Sequence, residues 1–270
     1  WNHYEKKLDD IASRCLSGTY KFSPYKEQLI LKGRDKFPRI LSVPSMRDRM
    51  ILGVLNQYLQ KAFPEAVNNQ VPNQYIKDIG DFMAQHSSEK VYFFKTDIKG
   101  FYDSIDLDTL YRKLEPSVDA SVLQLVKTAI NTVTVSKGGA RLSSNQQLRL
   151  TGIPQGLSIS NILAGISMLD FDESIENHCD VNTLYKRYVD DILILSTTPI
   201  DARFVDEFKC ELIIKGVSLR LSPDKTHYGI VGDKSFEYIG YSFKSTFCIS
   251  IRQKNTQTFL NRISRLISRY

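Results

Sequence analysis

The chain has 270 residues, a length that predicts a large core or two or three subdomains. With 42% hydrophobic and 24% charged residues, it has the composition of a soluble protein. A formal net charge of +6 is compatible with a polyanionic partner but does not require one. No uncharged apolar run approaches the roughly 20 residues of a membrane span, and no signal-peptide pattern opens the chain, so we expect a cytoplasmic protein without a membrane partner. The four cysteines form no C-x-x-C, which argues against a zinc site or a disulfide framework.

The first third of the chain predicts helices separated by a basic extended segment. Apolar periodicity indicates a first helix over Asn2–Leu16 and a later one over residues 76–86. Residues 36–43 are basic and apolar and read as extended. Ser45, followed by Asp48 three residues later, forms a capping-box-like start for another helix, so we expect that helix to begin immediately after Ser45.

An acidic residue follows the first strongly apolar strand. The run at 91–94 predicts a buried strand, and Asp97 comes just after it. Gly100 permits a turn that lets Phe101 and Tyr102 approach, and Leu107–Leu114 continues as an amphipathic helix. The strand would therefore deliver a carboxylate to its end.

The middle of the chain predicts a helix, a turn and an unusual loop. We expect a helix over residues 122–135, a glycine turn at 138–139 and a strand-like segment reaching residue 150. In the loop that follows, Pro154 restricts the backbone and Gly156 frees it, which leaves Gln155 presented between them ahead of another helix. A plain loop with one glutamine is the alternative interpretation.

Two adjacent carboxylates interrupt the apolar stretch 184–195. Apolar, β-branched residues on both sides of Asp190 and Asp191 predict two short strands joined by a tight turn, with the acids at its tip. Side chains alternate along a strand, so at most one of the two can aim fully into a shared site, and a metal cage needs a third acid such as Asp97. Such oxygen ligands suit Mg²⁺. A solvated surface hairpin is the alternative.

The C-terminal part predicts helices around a second hairpin. We expect a helix over residues 204–215, a strand running into a loop over 219–226, and a hairpin over 236–243 that bends at Gly240. The last predicted helix has an apolar face and a basic face, formed respectively by Leu260, Ile263, Leu266 and Ile267 and by Arg262, Arg265 and Arg269. A basic helix face of this kind can follow a nucleic-acid backbone.

Three motifs stand in a fixed order: Asp97 with an aromatic residue five positions later, the Pro-Gln-Gly at 154–156, and the Tyr-Val-Asp-Asp at 188–191. This set resembles the palm motifs of the reverse transcriptase family over roughly residues 35–245. The resemblance implies an α+β right-hand polymerase with fingers, a palm made of an antiparallel sheet flanked by helices, and the start of a helical thumb. The implied boundaries are fingers at 1–90 and 116–150, palm at 91–115 and 151–245, and the start of the thumb at 246–270.

The resemblance also implies roles for individual residues. The metal ligands would be Asp97, Asp190, Asp191 and the carbonyl of Ile98, holding two Mg²⁺ ions, with Mn²⁺ as the alternative ion. The implied substrate-binding residues are Lys36 and Arg39 toward the triphosphate, Tyr102 as a gate against the ribose 2′-hydroxyl, and Gln155 with Gly156. Lys225 would donate a proton to the leaving pyrophosphate. The alternatives are a solvated strand edge for Lys36 and Arg39, a core position for Tyr102, and an exposed lysine for Lys225.

The implied function is synthesis of DNA from dNTPs on an RNA template and a DNA primer. The segment Pro-Gln-Gly-Leu-Ser-Ile-Ser-Asn has Asn161 where many relatives end the motif in Ser-Pro. This form of the motif most resembles that of bacterial abortive-infection and antiphage-defence reverse transcriptases. The alternatives are a retron or group II intron-type enzyme, a template-independent DNA polymerase, an RNA-directed RNA polymerase and a catalytically silent nucleic-acid-binding scaffold. A non-coding RNA or a protein primer would fit some of these, and the oligomeric state is left open.

Overall fold

The computed structural model describes residues 2–31, 37–68, 70–136, 149–215, 219–245 and 248–268, so Lys36 and the predicted glycine turn lie outside the described residues. Its α-helices are α1 (Asn2–Leu16), α2 (Met46–Ala62), α3 (Pro72–Gln85), α4 (Phe101–Ser104), α5 (Leu107–Leu114), α6 (Ala120–Asn131), α7 (Ser160–Glu176), α8 (Ala202–Lys215) and α9 (Gln253–Ile267). Its strands are β1 (Tyr25–Ile30), β2 (Arg39–Val43), β3 (Tyr92–Asp97), β4 (Thr134–Val135), β5 (Thr183–Tyr188), β6 (Asp191–Ser196), β7 (His227–Ile230), β8 (Phe236–Tyr238), β9 (Tyr241–Ser245) and β10 (Cys248–Ile251). The predicted α+β class is confirmed. No helix in the described ranges has the length and apolar character needed to cross a bilayer.

The described chain divides into two units. The first contains the residues up to Val67 together with Gly100–Asp170, and the second contains Asn68–Lys99, Phe171–Lys215 and the residues from Leu219 onward. This division differs from the predicted boundaries of fingers, palm and thumb, which stay a prediction.

The first unit contains a three-stranded sheet with β1 between β2 and β4. Strand β1 runs antiparallel to β2, with Ile30 opposite Arg39, and parallel to β4, with Tyr25 opposite Thr134. Tyr25 is fully buried, and its hydroxyl donates to the carbonyl of Ala129 at 2.9 Å. The sheet is therefore tied to α6 by a buried hydrogen bond.

The predicted capping box starts α2. The backbone N–H of Asp48 donates to Ser45 Oγ at 3.3 Å, and Ser45 Oγ donates to Asp48 Oδ2 at 2.7 Å. The Asp48 side chain is fully buried and also accepts from the hydroxyl of Tyr20 at 2.6 Å. Burial alone would raise the pKa of Asp48, but hydrogen bonds from Tyr20 and Ser45 outweigh it and lower the pKa.

The predicted helix at 122–135 and the predicted strand at 219–226 are displaced in the structure. The helix predicted over 122–135 ends at Asn131, because the β-branched run that follows favours a strand and pairs as β4. The strand predicted over 219–226 is found later, as His227–Ile230, after a short 3₁₀ helix at Pro223–Lys225. Proline favours that turn and cannot donate to a sheet.

Two glycines in the first unit allow a matched test of packing. A Cβ on Gly165 in α7 would lie 2.5 Å from the carbonyl oxygen of Ala66, whereas a Cβ on Gly53 in α2 would meet no atom within 4 Å. We expect Gly165→Ala to lower the free energy of unfolding by about 1–3 kcal/mol through overpacking. Gly53→Ala should raise it by about 0.5–1 kcal/mol because alanine has the higher helix propensity. Urea unfolding of both variants measures the difference, and equal effects of the same sign would contradict it.

The second unit is built on a four-stranded antiparallel sheet with the order β5-β6-β3-β7. Successive residues of β3 face opposite sides. Phe93 belongs to a buried cluster with Leu193 and Leu195 of β6 and with residues of α3, β8 and β9. Phe94 packs on the other side, with its ring centroid 4.9 Å from that of Phe208 in α8. The sheet is thus buried on both faces, which fixes its register.

A small antiparallel sheet of order β10-β9-β8 precedes the last described helix. The predicted hairpin over 236–243 is present and turns at Ile239 and Gly240, both of which have positive φ. Asn255 of α9 donates to the Gly240 carbonyl at 3.2 Å. The predicted apolar face of α9 is exposed in the described chain, because every described residue of that helix is exposed.

Candidate active site

The structure brings Asp97 and the predicted hairpin tip together in the second unit. Asp97 is the last residue of β3 and lies directly opposite Asp191, the first residue of β6. Asp190 sits in the two-residue turn before it, and the N–H of Ile98 donates to the Asp190 carbonyl at 2.9 Å. Two acids thus lie at the ends of the two central strands, and the third lies in the adjoining turn. This is the arrangement that the motif order predicts.

A largely buried ion pair supports this turn. Val189 has a φ of 59°, a conformation that β-branched residues rarely adopt. Arg187 Nη1 donates to the Val189 carbonyl at 2.8 Å, while Arg187 Nε donates to Asp172 Oδ1 at 2.7 Å and Nη2 forms a second bond to the same carboxylate. Tyr185 also donates its hydroxyl to Asp172 at 2.7 Å. The strained turn is therefore stabilised by Arg187, which is itself held by a bidentate ion pair with Asp172.

The negative charge of Asp172 affects its arginine partner. Burial alone would lower the pKa of Arg187, but the hydrogen bonds and the charge of Asp172 outweigh it and raise the pKa above its usual value. The guanidinium thus stays charged although only 14% of its side chain is exposed.

Two lysine ammonium groups lie against the acids. Lys225 Nζ lies 2.7 Å from Asp97 Oδ2, and Lys95 Nζ lies 2.9 Å from Asp191 Oδ1. Lys225 was expected near the leaving group, whereas Lys95 was not singled out in the sequence. Each of these two carboxylates therefore has a cationic neighbour.

Asp191 has a perturbed environment. Burial raises its pKa above the usual value; the charge of Lys95 lowers it, and the neighbouring charges of Asp97 and Asp190 raise it again. Its Oδ1 atom is buried and makes no hydrogen bond of good geometry to a described residue, so its contact with Lys95 is an ion pair without a directed hydrogen bond. Like charges this close repel one another, so positive charge nearby stabilises the cluster.

The donor set fits a divalent hard cation. Three carboxylates in one sheet corner offer the oxygen ligands that Mg²⁺ prefers, and two of them already hold ammonium groups where positive charge is required. Within the described residues, no three His, Cys, Asp or Glu side chains are arranged as a finished metal cage. Oxygens of Asp97 and Asp191 are turned to lysines instead. The metal ligation predicted for the three acids and the Ile98 carbonyl stays a prediction.

Tyr102, the residue predicted to act as a gate, belongs to the first unit. It is partly buried, whereas its neighbour Phe101 is a core residue with 3% exposure. The Tyr102 hydroxyl donates to Asn161 Oδ1 at 2.6 Å, and its backbone carbonyl accepts from the N–H of Ile153 at 2.7 Å. Tyr102 is thus bonded through its ring hydroxyl to the first turn of α7, and through its backbone to Ile153, the residue before the Pro-Gln-Gly.

The same loop lies against β2. The N–H of Ser42 donates to the Gln155 carbonyl at 2.7 Å, and a Cβ on Gly156 would lie 2.9 Å from the Ser42 carbonyl oxygen. Gly156 also has a φ of 104°, so no other residue fits there without strain. Arg39 is exposed on the same strand. The first unit therefore gathers Arg39, Gln155 and Gly156 around one strand, and their contacts with substrate stay predictions.

Sequence reasoning missed three residues of these sites. Lys95 precedes Asp97 by two positions, and the two-residue period of a strand could have placed both on one face. Arg187 is a charge inside an apolar strand, which calls for a partner. Asn161 carried a signal only as a departure from the common motif, because nothing local in the sequence indicates its contact with Tyr102.

A family model described as reverse transcriptase (RNA-dependent DNA polymerase) matches residues 30–243. The chain belongs to the reverse transcriptase family. The predicted family is thereby confirmed, and the order of Asp97, the Pro-Gln-Gly loop and the acidic hairpin is the order of motifs in a reverse transcriptase domain.

Relatives of this reverse transcriptase domain include longer proteins. A Schizosaccharomyces pombe protein described as an uncharacterized 91 kDa protein in cob intron is 26% identical over 175 residues, which cover 63% of this chain and 21% of that protein. Telomerase from Candida albicans, solved with a TWJ fragment of telomeric RNA, matches 93% of this chain and 50% of its own, with a TM-score of 0.63 and 16% identity. Apo telomerase from Candida tropicalis, truncated from its C-terminal domain, matches 91% and 60%, with a TM-score of 0.61 and 16% identity.

These comparisons confirm the predicted right-hand polymerase fold for the reverse transcriptase domain. At 16% identity the likeness to the telomerases concerns the fold alone. The chain spans about a fifth of the length of the Schizosaccharomyces pombe relative and between half and 60% of the telomerase chains.

Proposed function

We propose that this chain carries the catalytic part of an RNA-directed DNA polymerase, which adds dNTPs to the 3′-hydroxyl of a primer on an RNA template. The observation that carries the proposal is the register of β3 and β6, which sets Asp97 opposite Asp191 with Asp190 in the adjoining turn. The family match supports the same activity. The telomerase relative solved with an RNA fragment supports an RNA partner.

In the proposed reaction the acids hold the ions and the chain positions the substrates. Two bound Mg²⁺ ions would supply the positive charge that lowers the pKa of the attacking hydroxyl and neutralises the departing pyrophosphate. Asp97 and Asp190 would hold the ions, and Asp191 would support them. Arg187 keeps the turn in place through the Val189 carbonyl. Lys225 has a side chain that is 51% exposed, so it can leave Asp97 and move toward the leaving group.

Extension of defined primers tests the proposal. The full chain is incubated with Mg²⁺ and dNTPs on an RNA template, on a DNA template of the same sequence, without a template and without a primer, and the products are sequenced. RNA-dependent products complementary to the template support the proposal. Template-independent products would favour a terminal DNA polymerase, and no product in any condition would favour a scaffold without catalysis.

Selection against ribonucleotides tests the gate. We expect Tyr102→Ala to raise rNTP incorporation relative to dNTP incorporation by roughly ten- to a hundredfold, because the ring no longer meets the 2′-hydroxyl. Asn161→Ala should raise it by a smaller factor, because the ring loses the acceptor of its hydroxyl. Tyr102→Phe, which keeps the ring but not the hydrogen bond, should match Asn161→Ala. Ratios of kcat/KM for both nucleotides measure these effects, and unchanged ratios in all variants would contradict the gate.

An intron-encoded role is the second candidate. It is supported by the Schizosaccharomyces pombe relative, whose description places it in a cob intron. The predicted role in bacterial antiphage defence is supported by the motif dialect of residues 154–161. Challenge of a host with phage, with and without the gene, separates the two: protection that disappears in Asp190→Asn supports defence, and equal plating efficiency argues for the intron role.

A further inference from the structure

Lys95 lies inside the acidic site of the second unit. It precedes Asp97 by two residues in β3, and its side chain is only 15% exposed. Its ammonium nitrogen lies 2.9 Å from Asp191 Oδ1, which is buried and makes no hydrogen bond to any other residue in the described ranges. The buried oxygen and the largely buried lysine therefore compensate each other's charge.

The second lysine of the site differs in one physical respect. Lys225 contacts Asp97, but it lies in the short 3₁₀ helix Pro223–Lys225 and its side chain is 51% exposed. An exposed lysine exchanges its partner for water at little cost. Lys95 cannot exchange Asp191 for water in this way, because its side chain is largely buried and separation would leave both charges uncompensated. Lys225 is thus displaceable, and Lys95 is not.

We propose that Lys95 is a positioning residue that stays paired with Asp191 when metal binds and thereby sets the charge of the metal site. The inference rests on the proposed function, because it concerns the same acids. With Lys95 in place, the three carboxylates present about two net negative charges to a cation. Lys95 therefore stabilises the metal-free hairpin and weakens metal binding.

Removal of the ammonium group should separate these two effects. Lys95→Met leaves the acids to repel one another, so we expect a lower Tm in EDTA. The same variant presents one more negative charge to Mg²⁺, so we expect its dissociation constant for Mg²⁺ to fall by roughly tenfold. A residue with a merely structural role would lower the Tm without tightening the metal site.

The test is thermal unfolding of the full chain during titration with MgCl₂ at constant ionic strength. Lys186→Met is the matched control, because Lys186 lies in β5 of the same sheet, its Nζ is 2.6 Å from Asp78 Oδ2 of α3, and its side chain is 16% exposed. We expect it to lower the Tm and leave the Mg²⁺ response unchanged. Lys95→Arg keeps the charge and should behave as the wild type.

A second pair of variants covers the case in which Lys95→Met does not fold in EDTA. Asp191→Asn leaves the Lys95 ammonium group facing the ions, so it should weaken the Mg²⁺ response, and adding Lys95→Met to it should strengthen that response again. Equal Mg²⁺ affinity of these two variants, or of Lys95→Met and the wild type, would overturn the inference. A wild type that gains no stability from Mg²⁺ would overturn the metal site itself and, with it, both proposals.

Discussion

Asp190→Asn should reduce the rate of primer extension by roughly a thousandfold or more, because an amide cannot replace a carboxylate as a ligand of two divalent ions. Asp190 sits in the turn that joins β5 to β6, and its backbone carbonyl is bonded to Ile98 whatever its side chain. The substitution therefore changes the charge of the site and keeps the hairpin bond. Asp97→Asn should have a loss of the same order.

The measurement is single-turnover extension of a labelled primer on an RNA template. Asp233→Asn is the control, because Asp233 is an exposed carboxylate in the turn after Val231, and Val231 bonds to Val91, next to the end of β3 that lies opposite to Asp97. It should extend primers at the wild-type rate. Thermal unfolding establishes that each variant is folded. A folded Asp190→Asn protein that extends primers at more than about a tenth of the wild-type rate would contradict the proposed mechanism.

Arg187→Met should lower the free energy of unfolding by about 3–5 kcal/mol, because it leaves the buried carboxylate of Asp172 without its cation. Both side chains are less than one-fifth exposed, so solvent screens the pair little. The variant also loses the bond to the Val189 carbonyl, so primer extension should fall with it. Asp172→Leu combined with Arg187→Met should recover much of the stability without recovering the activity.

Urea unfolding of the two single variants and the double variant gives the coupling energy between the residues. Arg203→Met is the matched control, because Arg203 pairs with Glu207 on the exposed surface of α8, with 85% of its side chain accessible. An exposed pair of this kind contributes less than about 1 kcal/mol. If Arg187→Met were no more destabilising than Arg203→Met, the support for the turn would have to be sought elsewhere.

The sequence was most informative where its signals are local. The α1 bounds and the start of α2 were predicted from helical periodicity and from Ser45 with Asp48, and the structure has the same α1 bounds and the same cap. The hairpin from β5 to β6 was also predicted, because apolar strands flanking two turn-forming acids admit few other arrangements. These elements depend on neighbours a few residues away.

Strands β1, β4 and β7 were missed or displaced in the sequence analysis. None of the three has a strong pattern of its own, since β4 has two residues and β7 contains a glycine. Each is a strand only because a distant segment supplies its hydrogen bonds, as β3 does for β7. Strand propensity depends on such context more than helix propensity does.

By itself, the sequence determined the family, the fold class and the three acids that the motifs bring forward, because residue type and spacing carry that information. Only the tertiary structure decided which charges meet. Lys95 of β3 contacts Asp191 on the adjacent strand β6, and Arg187 of β5 contacts Asp172 of helix α7. Those pairings follow from strand register and from burial on both faces of the sheet, which no local pattern encodes.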